Sequence, residues 1–326
     1  MQVSNHIHYL TFGGSSSIEV LQQSTLASVR LRICPSIKTM LSKHWRVTTG
    51  DQVVDVPQKI VVTKIGTNDI QKRSREWLEQ IKKHKSSGAQ IYLDYTDHHL
   101  GFESLMSDFY RQVMVLVDKA ITPSKGMQNA LSNFYKKNIE IIEDPIEISI
   151  QAIKPINQPI TILWFGHASN IEYLVQFLSS GFHLGDSIRL IILSNEVGLH
   201  MLSQVRIESP AKIECQTGIW SSELMLLAAS KSDVCIIPGN PSDPRKSGAS
   251  SNRLITALAL GLPVAADHLD SYVEFSDFYA DIRGGEFRKL LLDPASFHRK
   301  VDLAQKTVIP RFTMAKSEVA WAQALL

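Results

Sequence analysis

The sequence has little of what would mark a disulfide-bonded, zinc-binding or membrane-spanning protein. Its 326 residues include only 3 Cys, without a Cys-x-x-Cys pair, so neither a disulfide framework nor the usual zinc spacing is present. The longest apolar stretch, residues 254–266, is too short to span a bilayer and contains Gly261 and Pro263. We therefore expect a soluble protein of a reducing compartment, the cytoplasm, with peripheral membrane contact through an amphipathic patch left open.

Neither sign of charge is in excess. Lys+Arg 34 nearly balances Asp+Glu 32, and the formal net charge is +2 at pH 7, so we expect no nucleic acid as an obligatory partner. With 44% hydrophobic and 20% charged residues, the composition is that of a folded globular protein. The length is sufficient for two domains, each with its own core.

Two common phosphate-binding motifs are also missing. The chain has no Gly-x-x-x-x-Gly-Lys-Ser/Thr loop and no Gly-x-Gly-x-x-Gly. Kinase, ATPase and nicotinamide-dependent functions therefore lose their usual sequence support. We expect neither a cofactor nor a bound metal ion.

What is present is an alternation of β-branched runs with longer helical patterns, which is typical of βα units around parallel sheets. In the first half it predicts strands at residues 60–64, 90–94, 119–122 and 139–142. Between them it predicts helices at residues 69–85, 102–115 and 124–137. A Pro-rich stretch at residues 144–159 predicts a linker. After it, strands are predicted at residues 161–165, 189–193, 212–215, 233–237 and 263–266, and helices at residues 170–178 and 250–260.

This pattern predicts an α/β fold with two Rossmann-like, doubly wound domains that meet near residue 150. Continuous apolar strands of this kind are covered by helices on both faces. Cys215 and Cys235 lie in such runs, and we expect both thiols to be buried as small hydrophobic groups. His6 and His8 alternate along a predicted strand and are expected to be structural.

A small, polar, cationic loop at residues 241–253 leads into an apolar helix. Backbone N–H groups at a helix N-terminus, assisted by Lys246 and Arg253, form an anion site suited to a diphosphate. Ser250, Ser251 and Asn252 belong to the same candidate site. The alternative is a solvated loop whose Ser and Asn residues cap the helix.

The helix after this loop resembles the donor-site helix of retaining GT-B glycosyltransferases of group 1 (GT4-like). In that family seven residues separate two acidic residues. The second of these is the Glu of a Glu-Ala-x-x-x-Gly-x-Pro-Val sequence. The positions that match are Ala257, Gly261, Pro263 and Val264. Gly248 and Thr256 stand where the family has its two acidic residues, and the basic loop instead resembles a more divergent group of GT-B proteins.

The resemblance implies two domains that face a central cleft. It implies an acceptor-binding domain at residues 1–150, a donor-binding domain at residues 151–312, and a C-terminal helix at residues 313–326 that crosses back to the first domain. The implied reaction is transfer of a sugar from a nucleotide-sugar to a hydroxyl of a glycan, lipid-linked or small-molecule acceptor. We expect it to be metal-independent, because the cationic loop can stabilise the departing diphosphate.

The resemblance also implies that the loop after the first strand of the second domain faces the donor phosphates. Gly166 permits close backbone approach, and His167 or Asn170 can donate to phosphate oxygens. A helix N-cap formed by Ser169 or Asn170 is the competing interpretation, and both can hold at once.

Further donor-binding candidates come from other loops. Gly13 and Gly14 resemble the Gly-Gly loop of the GT-B N-terminal domain, although a flexible turn explains them equally well. Tyr272 and Glu274 can hydrogen-bond the donor sugar or ribose. Positive charge from Arg30 and Arg32, and stacking of Trp220 on a nucleobase, are weaker hypotheses, and a core position is expected for Trp220.

The catalytic candidates are Asp97 and His98, beside His99 at the end of a central strand of the first domain. A carboxylate next to imidazoles fits acceptor binding or proton transfer from an acceptor hydroxyl. A metal site and a plain surface loop are the alternatives.

Two other functions stay open at this point. One is a GT-B-shaped epimerase or phosphorylase, because a fold does not fix its chemistry. The other is a non-catalytic protein that binds nucleotide or glycan. Turnover of a nucleotide-sugar separates the enzymes from the binding protein.

Overall fold

The computed structural model describes residues 5–66, 68–157, 159–180, 187–205 and 212–326. The strands in chain order are β1 (His6–Leu10), β2 (Arg46–Gly50), β3 (Lys59–Val62), β4 (Gln90–Asp94), β5 (Lys119–Thr122), β6 (Ile139–Ile141), β7 (Thr161–Phe165), β8 (Ser187–Ser194), β9 (Lys212–Ile219), β10 (Val234–Ile237), β11 (Val264–Ala266) and β12 (Ala280–Asp281).

The helices alternate with these strands. In chain order they are α1 (Ile18–Gln22), α2 (Cys34–Ser42), α3 (Ile70–Ser86), α4 (Ser107–Leu116), α5 (Lys125–Ser132), α6 (Ile171–Ser179), α7 (Glu196–Ser203), α8 (Ser222–Lys231), α9 (Pro244–Ser247), α10 (Asn252–Ala259), α11 (Gly285–Leu292), α12 (His298–Thr307) and α13 (Met314–Leu325). A π-helical turn, Val29–Ile33, precedes α2.

The contacts divide the chain into two units. The first unit consists of Met1–Pro145, Pro244–Ser250 and Met314–Leu326, and the second of Ile146–Asp243 and Ser251–Thr313. Each unit contains one parallel sheet. The predicted α/β fold with two Rossmann-like sheets is confirmed.

The sheet of the first unit has the strand order β2-β1-β3-β4-β5-β6, with every pairing parallel. Alternate residues of β3 face opposite cores. Ile60 and Val62 join a core with Trp77 of α3, whereas Val61 joins a core with Trp321 of α13. Helices therefore cover both faces of this sheet, as its continuous apolar strands predict.

The sheet of the second unit has the order β12-β11-β10-β7-β8-β9, again with parallel pairings. In chain order this is the 3-2-1-4-5-6 arrangement of the dinucleotide-binding fold, read from its other edge. Trp164 and Phe165 of β7 face different cores. This sheet is thus also covered on both faces.

Local sequence explains where several helices begin and end. The Ser124 hydroxyl accepts a hydrogen bond from the Met127 N–H and caps α5, as predicted. Gly261, which follows α10, has φ +77°, a conformation that glycine adopts without strain. In the last turn of α3, Lys83, His84 and Lys85 are favourably placed for the helix dipole.

Two expectations are wrong. Cys215 is exposed because the described sheet places β9 at its edge, whereas Cys235 in β10 is buried as expected. Arg32 does not add positive charge to a ligand site. It is 1% exposed and its guanidinium is bound by Asp94 and Asp144.

His6 and His8 are structural, as expected. Nε2 of His6 and Nδ1 of His8 each lie 2.8 Å from the Thr48 hydroxyl, which joins the adjacent strands β1 and β2. Among the described residues, no helix is both long and apolar enough to cross a membrane.

Candidate active site

Ligands of open α/β sheets bind beyond the carboxyl ends of the strands, where the strand order reverses. In the second unit this switch point lies between β7 and β10. Gly166 directly follows β7, and Arg253 is the second residue of α10, the first long helix after β10. The fold of this unit therefore brings the predicted donor-binding residues to the position where such sheets bind ligands.

Gly166 is held in place from both sides of its peptide. Its N–H donates to the Leu193 carbonyl at 3.0 Å, and its carbonyl accepts from the Ser194 hydroxyl at 2.8 Å. A Cβ at this position would lie 3.0 Å from Cζ2 of Trp164 and 3.6 Å from Nη1 of Arg253. Gly166 therefore lies directly beside the Arg253 guanidinium, in a position too tight for a larger residue.

Two buried N–H donors near this glycine have no acceptor. Nη1 of Arg253 and Nε1 of Trp164 are both buried without a hydrogen-bond partner among the described residues. An unsatisfied buried donor costs about 1–3 kcal/mol, and more when it is charged. The arrangement is therefore suited to an oxygen ligand, and an anionic one matches the guanidinium.

Arg253 also faces Tyr272 and Cys235. Burial raises the pKa of Tyr272, and the hydrogen bond and charge of Arg253 act against that rise. Burial raises the pKa of Cys235 to about 12, with Arg253 again opposing. Arg253 is therefore the cation of a local site whose other groups are neutral at pH 7.

Of the two other donor-binding candidates after β11, Tyr272 lies beside Arg253 but is only 1% exposed. Glu274 forms an ion pair with Arg311 at 2.9 Å near the surface. Both residues belong to the 3₁₀-helical segment Asp270–Phe278.

The loop after Gly166 is organised by His167. Its Nδ1 accepts a hydrogen bond from the Ser169 N–H at 3.3 Å, so His167 rather than Ser169 or Asn170 caps the short helical turn Ala168–Asn170. The Ala168 N–H donates to Oδ1 of Asn195 at 2.9 Å. Asn195 follows β8, and no sequence motif marked it.

Asp267 is a second residue that sequence reasoning missed. It follows β11 and its side chain is 2% exposed. Its Oδ2 accepts from the Gly239 N–H at 2.8 Å, and Arg283 binds both its oxygens and the Gly239 carbonyl. This network fixes the ends of β10 and β11. Arg253 belongs to α10, the helix that connects these two strands.

The predicted cationic loop is divided between the two units. Pro244–Ser250 belongs to the first unit and the chain from Ser251 to the second, so Lys246 and Arg253 belong to different units. Ser250, Ser251 and Asn252 lead into α10, and Ser251 is buried without a side-chain cap bond. That Lys246 and Arg253 bind one diphosphate stays a prediction.

In the first unit, Gly13 and Gly14 follow β1. Gly13 has φ +61°, which favours glycine. A Cβ on Gly14 would clash with the Thr11 side chain and lie 3.2 Å from that of Thr49. Backbone conformation thus explains Gly13 and local packing explains Gly14, and the donor contact of both stays a prediction.

Asp97, predicted as catalytic, binds two lysines. Its Oδ2 accepts from Nζ of Lys64 and its Oδ1 from Nζ of Lys246, the latter at 3.0 Å. Burial would raise the pKa of Asp97, but the charges of Lys246 and Lys64 prevail and hold it well below the ordinary value. A carboxylate in this state is a weak proton acceptor.

His98, the other predicted catalytic residue, is packed among aromatic rings. It is 7% exposed, its Nδ1 lies 3.1 Å from the Tyr95 hydroxyl, and it contacts Phe102 and Phe134. Burial lowers its pKa. The ring therefore stays neutral at pH 7, and its visible contacts are those of a core residue.

Within the part of the chain that the structure describes, no group of three or more His, Cys, Asp and Glu is arranged to hold a metal ion. Trp220, which follows β9, is partly buried and packs against the core of the second unit. Trp220 thus lies at the margin of the core rather than inside it.

No protein-family model and no curated protein matches the sequence, whereas many solved structures match the fold. TarM matches with a TM-score of 0.57 at 12% identity, over 82% of this chain and 54% of TarM. An alpha-glucosyltransferase in complex with UDP and a 13-mer DNA containing a HMU base matches with a TM-score of 0.55 at 10% identity, over 98% and 96%. T4 phage beta-glucosyltransferase matches with a TM-score of 0.51 at 13% identity, over 98% of both chains.

The chain spans about half the length of TarM and of the matched chain in the GtfA/B complex, 54% and 56% respectively. At these identities the likeness is one of fold. The chain has the two-domain, Rossmann-like fold of the GT-B glycosyltransferases.

Proposed function

We propose that this chain is a glycosyltransferase that moves a sugar from a nucleotide-sugar donor to a hydroxyl acceptor. One observation carries the proposal. The Arg253 guanidinium has a buried Nη1 without a hydrogen-bond partner among the described residues, close to Gly166 at the switch point of a dinucleotide-type sheet. The similarity in fold to an alpha-glucosyltransferase and to T4 phage beta-glucosyltransferase is in keeping with this chemistry.

In this proposal the N–H groups of Arg253 Nη1 and Trp164 Nε1 bind the diphosphate of the nucleotide-sugar. Sugar transfer leaves a nucleoside diphosphate, on which negative charge grows as the glycosidic bond breaks. A fixed guanidinium stabilises that charge without reorganisation, and it does so more strongly in a water-poor site. We therefore propose that the reaction needs no divalent ion, and that the rate is unchanged by EDTA.

Membership of the group 1 (GT4-like) branch is part of the proposal. The match in residues 257–264 supports it, and the structure gives the Gly261 position a physical reason. A Cβ there would lie 2.8 Å from the Ala152 carbonyl oxygen. Since Gly248 and Thr256 replace the acidic pair of that branch, the donor ribose must be held by other residues here.

The acceptor has two candidate classes. The first, from the sequence, is a glycan, lipid-linked or small-molecule hydroxyl. The second is a hydroxyl on a DNA base. It is favoured by the match over almost the whole of both chains to the alpha-glucosyltransferase bound to DNA, in contrast to the partial match to TarM.

The decisive experiment is UDP binding by calorimetry to the wild-type chain and to Arg253→Ala. A hydrogen bond to a charged group contributes about 1.5–3 kcal/mol, so we expect the Kd for UDP to rise about 10- to 150-fold. Arg189→Ala is the matched control. Arg189 is exposed in β8 and pairs in register with Thr161 at the amino end of β7, away from Gly166.

Three results separate the functions. Weaker UDP binding in Arg253→Ala alone, with release of UDP from UDP-glucose by the wild type, supports the transferase. UDP binding without turnover of UDP-glucose, whichever acceptor is supplied, favours the non-catalytic alternative. Equal Kd values for wild type and Arg253→Ala would remove the donor site from this position.

A further inference from the structure

Lys64 and Lys246 meet at one carboxylate, that of Asp97. Lys64 follows β3 and Asp97 follows β4, two adjacent parallel strands. Both residues therefore lie at the carboxyl edge of the sheet of the first unit, where such sheets bind ligands. Lys246 reaches this edge from α9, which belongs to the same unit.

The two ammonium groups have unused hydrogen-bonding capacity. A lysine carries three N–H donors, and within the described residues Asp97 is the hydrogen-bond partner of both Lys64 and Lys246. Their side chains are 42% and 26% exposed. Two donors on each lysine are thus available to a ligand from solvent.

The spacing of the lysines suits an oxyanion. Each lysine binds a different oxygen of the same carboxylate, so the ammonium groups are held about as far apart as a group with two adjacent oxygens requires. A phosphate group presents a similar pair of oxygens. It can bridge the lysines on the side that Asp97 leaves open.

Surrounding contacts fix this arrangement. Nη1 of Arg73 donates to the carbonyl of Ile65, next to Lys64, at 3.1 Å. On the other side, the Ser124 hydroxyl donates to the Gly248 carbonyl at 2.5 Å, and the His98 N–H donates to the Arg245 carbonyl at 3.3 Å. Both lysines therefore extend from anchored backbone.

The local charge is positive. Asp97 neutralises one of the two lysines, and Arg245 contributes a further positive charge to the surroundings of His99. His99 adds none, because burial lowers its pKa to about 4. Nε2 of His99 is buried without a hydrogen-bond partner among the described residues.

We infer that Lys64 and Lys246, held together by Asp97, form an oxyanion subsite that binds a backbone phosphate of a DNA acceptor. The inference rests on the second acceptor class proposed above. It assigns Asp97 the role of positioning the two lysines. It also assigns a DNA contact to the first unit.

The test is binding of a short fluorescent duplex DNA, by anisotropy at several salt concentrations, to wild type, Lys64→Gln and Lys246→Gln. Each phosphate contact contributes about 0.9 to the slope of log K against log salt. We expect each variant to bind DNA several-fold more weakly, with a slope smaller by about 1. Lys38→Gln is the control, since Lys38 is exposed in the same unit and pairs with Glu318.

UDP binding to the same proteins separates the sources of the phosphate. Weaker DNA binding by Lys64→Gln with unchanged UDP affinity supports the subsite, whereas Lys246→Gln is compared for DNA binding alone, because Lys246 is also predicted to contact the donor diphosphate. Loss of UDP affinity in Lys64→Gln would assign the lysines to the donor and overturn the inference, as would DNA binding equal to that of Lys38→Gln. Wild type that binds UDP but not DNA refutes this inference alone, whereas DNA binding without UDP binding refutes the donor site alone.

Discussion

Arg32 and Asp94 form a buried ion pair in which Nη2 of Arg32 lies 2.6 Å, and Nε 2.8 Å, from Oδ1 of Asp94. Nη1 binds Asp144 at 2.8 Å, and the guanidinium lies over the Trp321 ring at 5.4 Å. One arginine thus connects the end of β4, the segment after β6 and the helix α13.

Arg32→Ala should destabilise the protein strongly. It leaves the carboxylates of Asp94 and Asp144 buried without their cation, and breaking such a pair costs about 3–5 kcal/mol. Urea unfolding measures the loss. Arg46→Ala is the control, because its pair with Asp55 is half exposed and is worth about 0–1 kcal/mol. Similar losses in the two variants would contradict the structural role of Arg32.

Acid should weaken the fold through His8. Burial lowers the pKa of this residue to about 4, against 6.5 in the unfolded chain. The stabilisation is therefore complete above pH 6.5 and is lost as the pH falls towards 4, because the unfolded chain takes up the proton first. The loss is on the order of 3 kcal/mol.

The check compares wild type with His8→Asn, in which the amide can replace Nδ1 beside Thr48. Free energies of unfolding at pH 7 and pH 4.5 should differ less in the variant. His6 and His84, whose pKa values burial also lowers, titrate in both proteins and cancel. An unchanged difference would show that His8 does not titrate as described.

Gly261→Ala should be destabilising for two reasons that add. The residue has φ +77°, which costs a non-glycine residue about 1–3 kcal/mol, and the new Cβ would meet the Ala152 carbonyl oxygen at 2.8 Å. Gly285→Ala is the opposite case, with no atom within 4 Å at the start of α11. There we expect a gain of about 0.4–1 kcal/mol, and thermal melting of both variants decides the matter.

Gly166→Ala should weaken both donor binding and the fold. The added methyl group would occupy the space beside Nη1 of Arg253, 3.6 Å away, and press on the Trp164 ring at 3.0 Å. We expect a loss of about 1–3 kcal/mol in stability and at least a tenfold rise in the Kd for UDP. The same measurements on Gly285→Ala provide the control. A normal Kd would show that the ligand does not approach this glycine.

The sequence was most informative where strands are buried. Residues 90–94, 119–122 and 161–165 were predicted with the bounds observed, because continuous β-branched runs between polar turns have few other structures available. The strand β2, with the sequence RVTTG, was missed. It lies at a sheet edge and is only partly buried, so it lacks that pattern.

Side-chain partners were beyond prediction when they came from distant segments. Asp97 was recognised as a carboxylate at a strand end, but its lysines lie 33 and 149 residues away in the chain. They change its chemistry from proton acceptor to lysine anchor. Arg253 was predicted from its place at a helix start, whereas its relation to Gly166 and Trp164 required the strand order.

The first unit is assembled from three separate stretches of chain, the last of which is Met314–Leu326. Trp321 from that stretch packs with Ile7 of β1 and Val61 of β3. Lys59 and Lys119 donate to the carbonyls of Leu325 and Ala324. During synthesis, the first unit therefore cannot be completed until residues 146–243 and 251–313 of the second unit have been made. Until then an apolar sheet face and the Arg32 site lack their contacts with α13, and exposed apolar surface of this kind makes a nascent chain prone to aggregation.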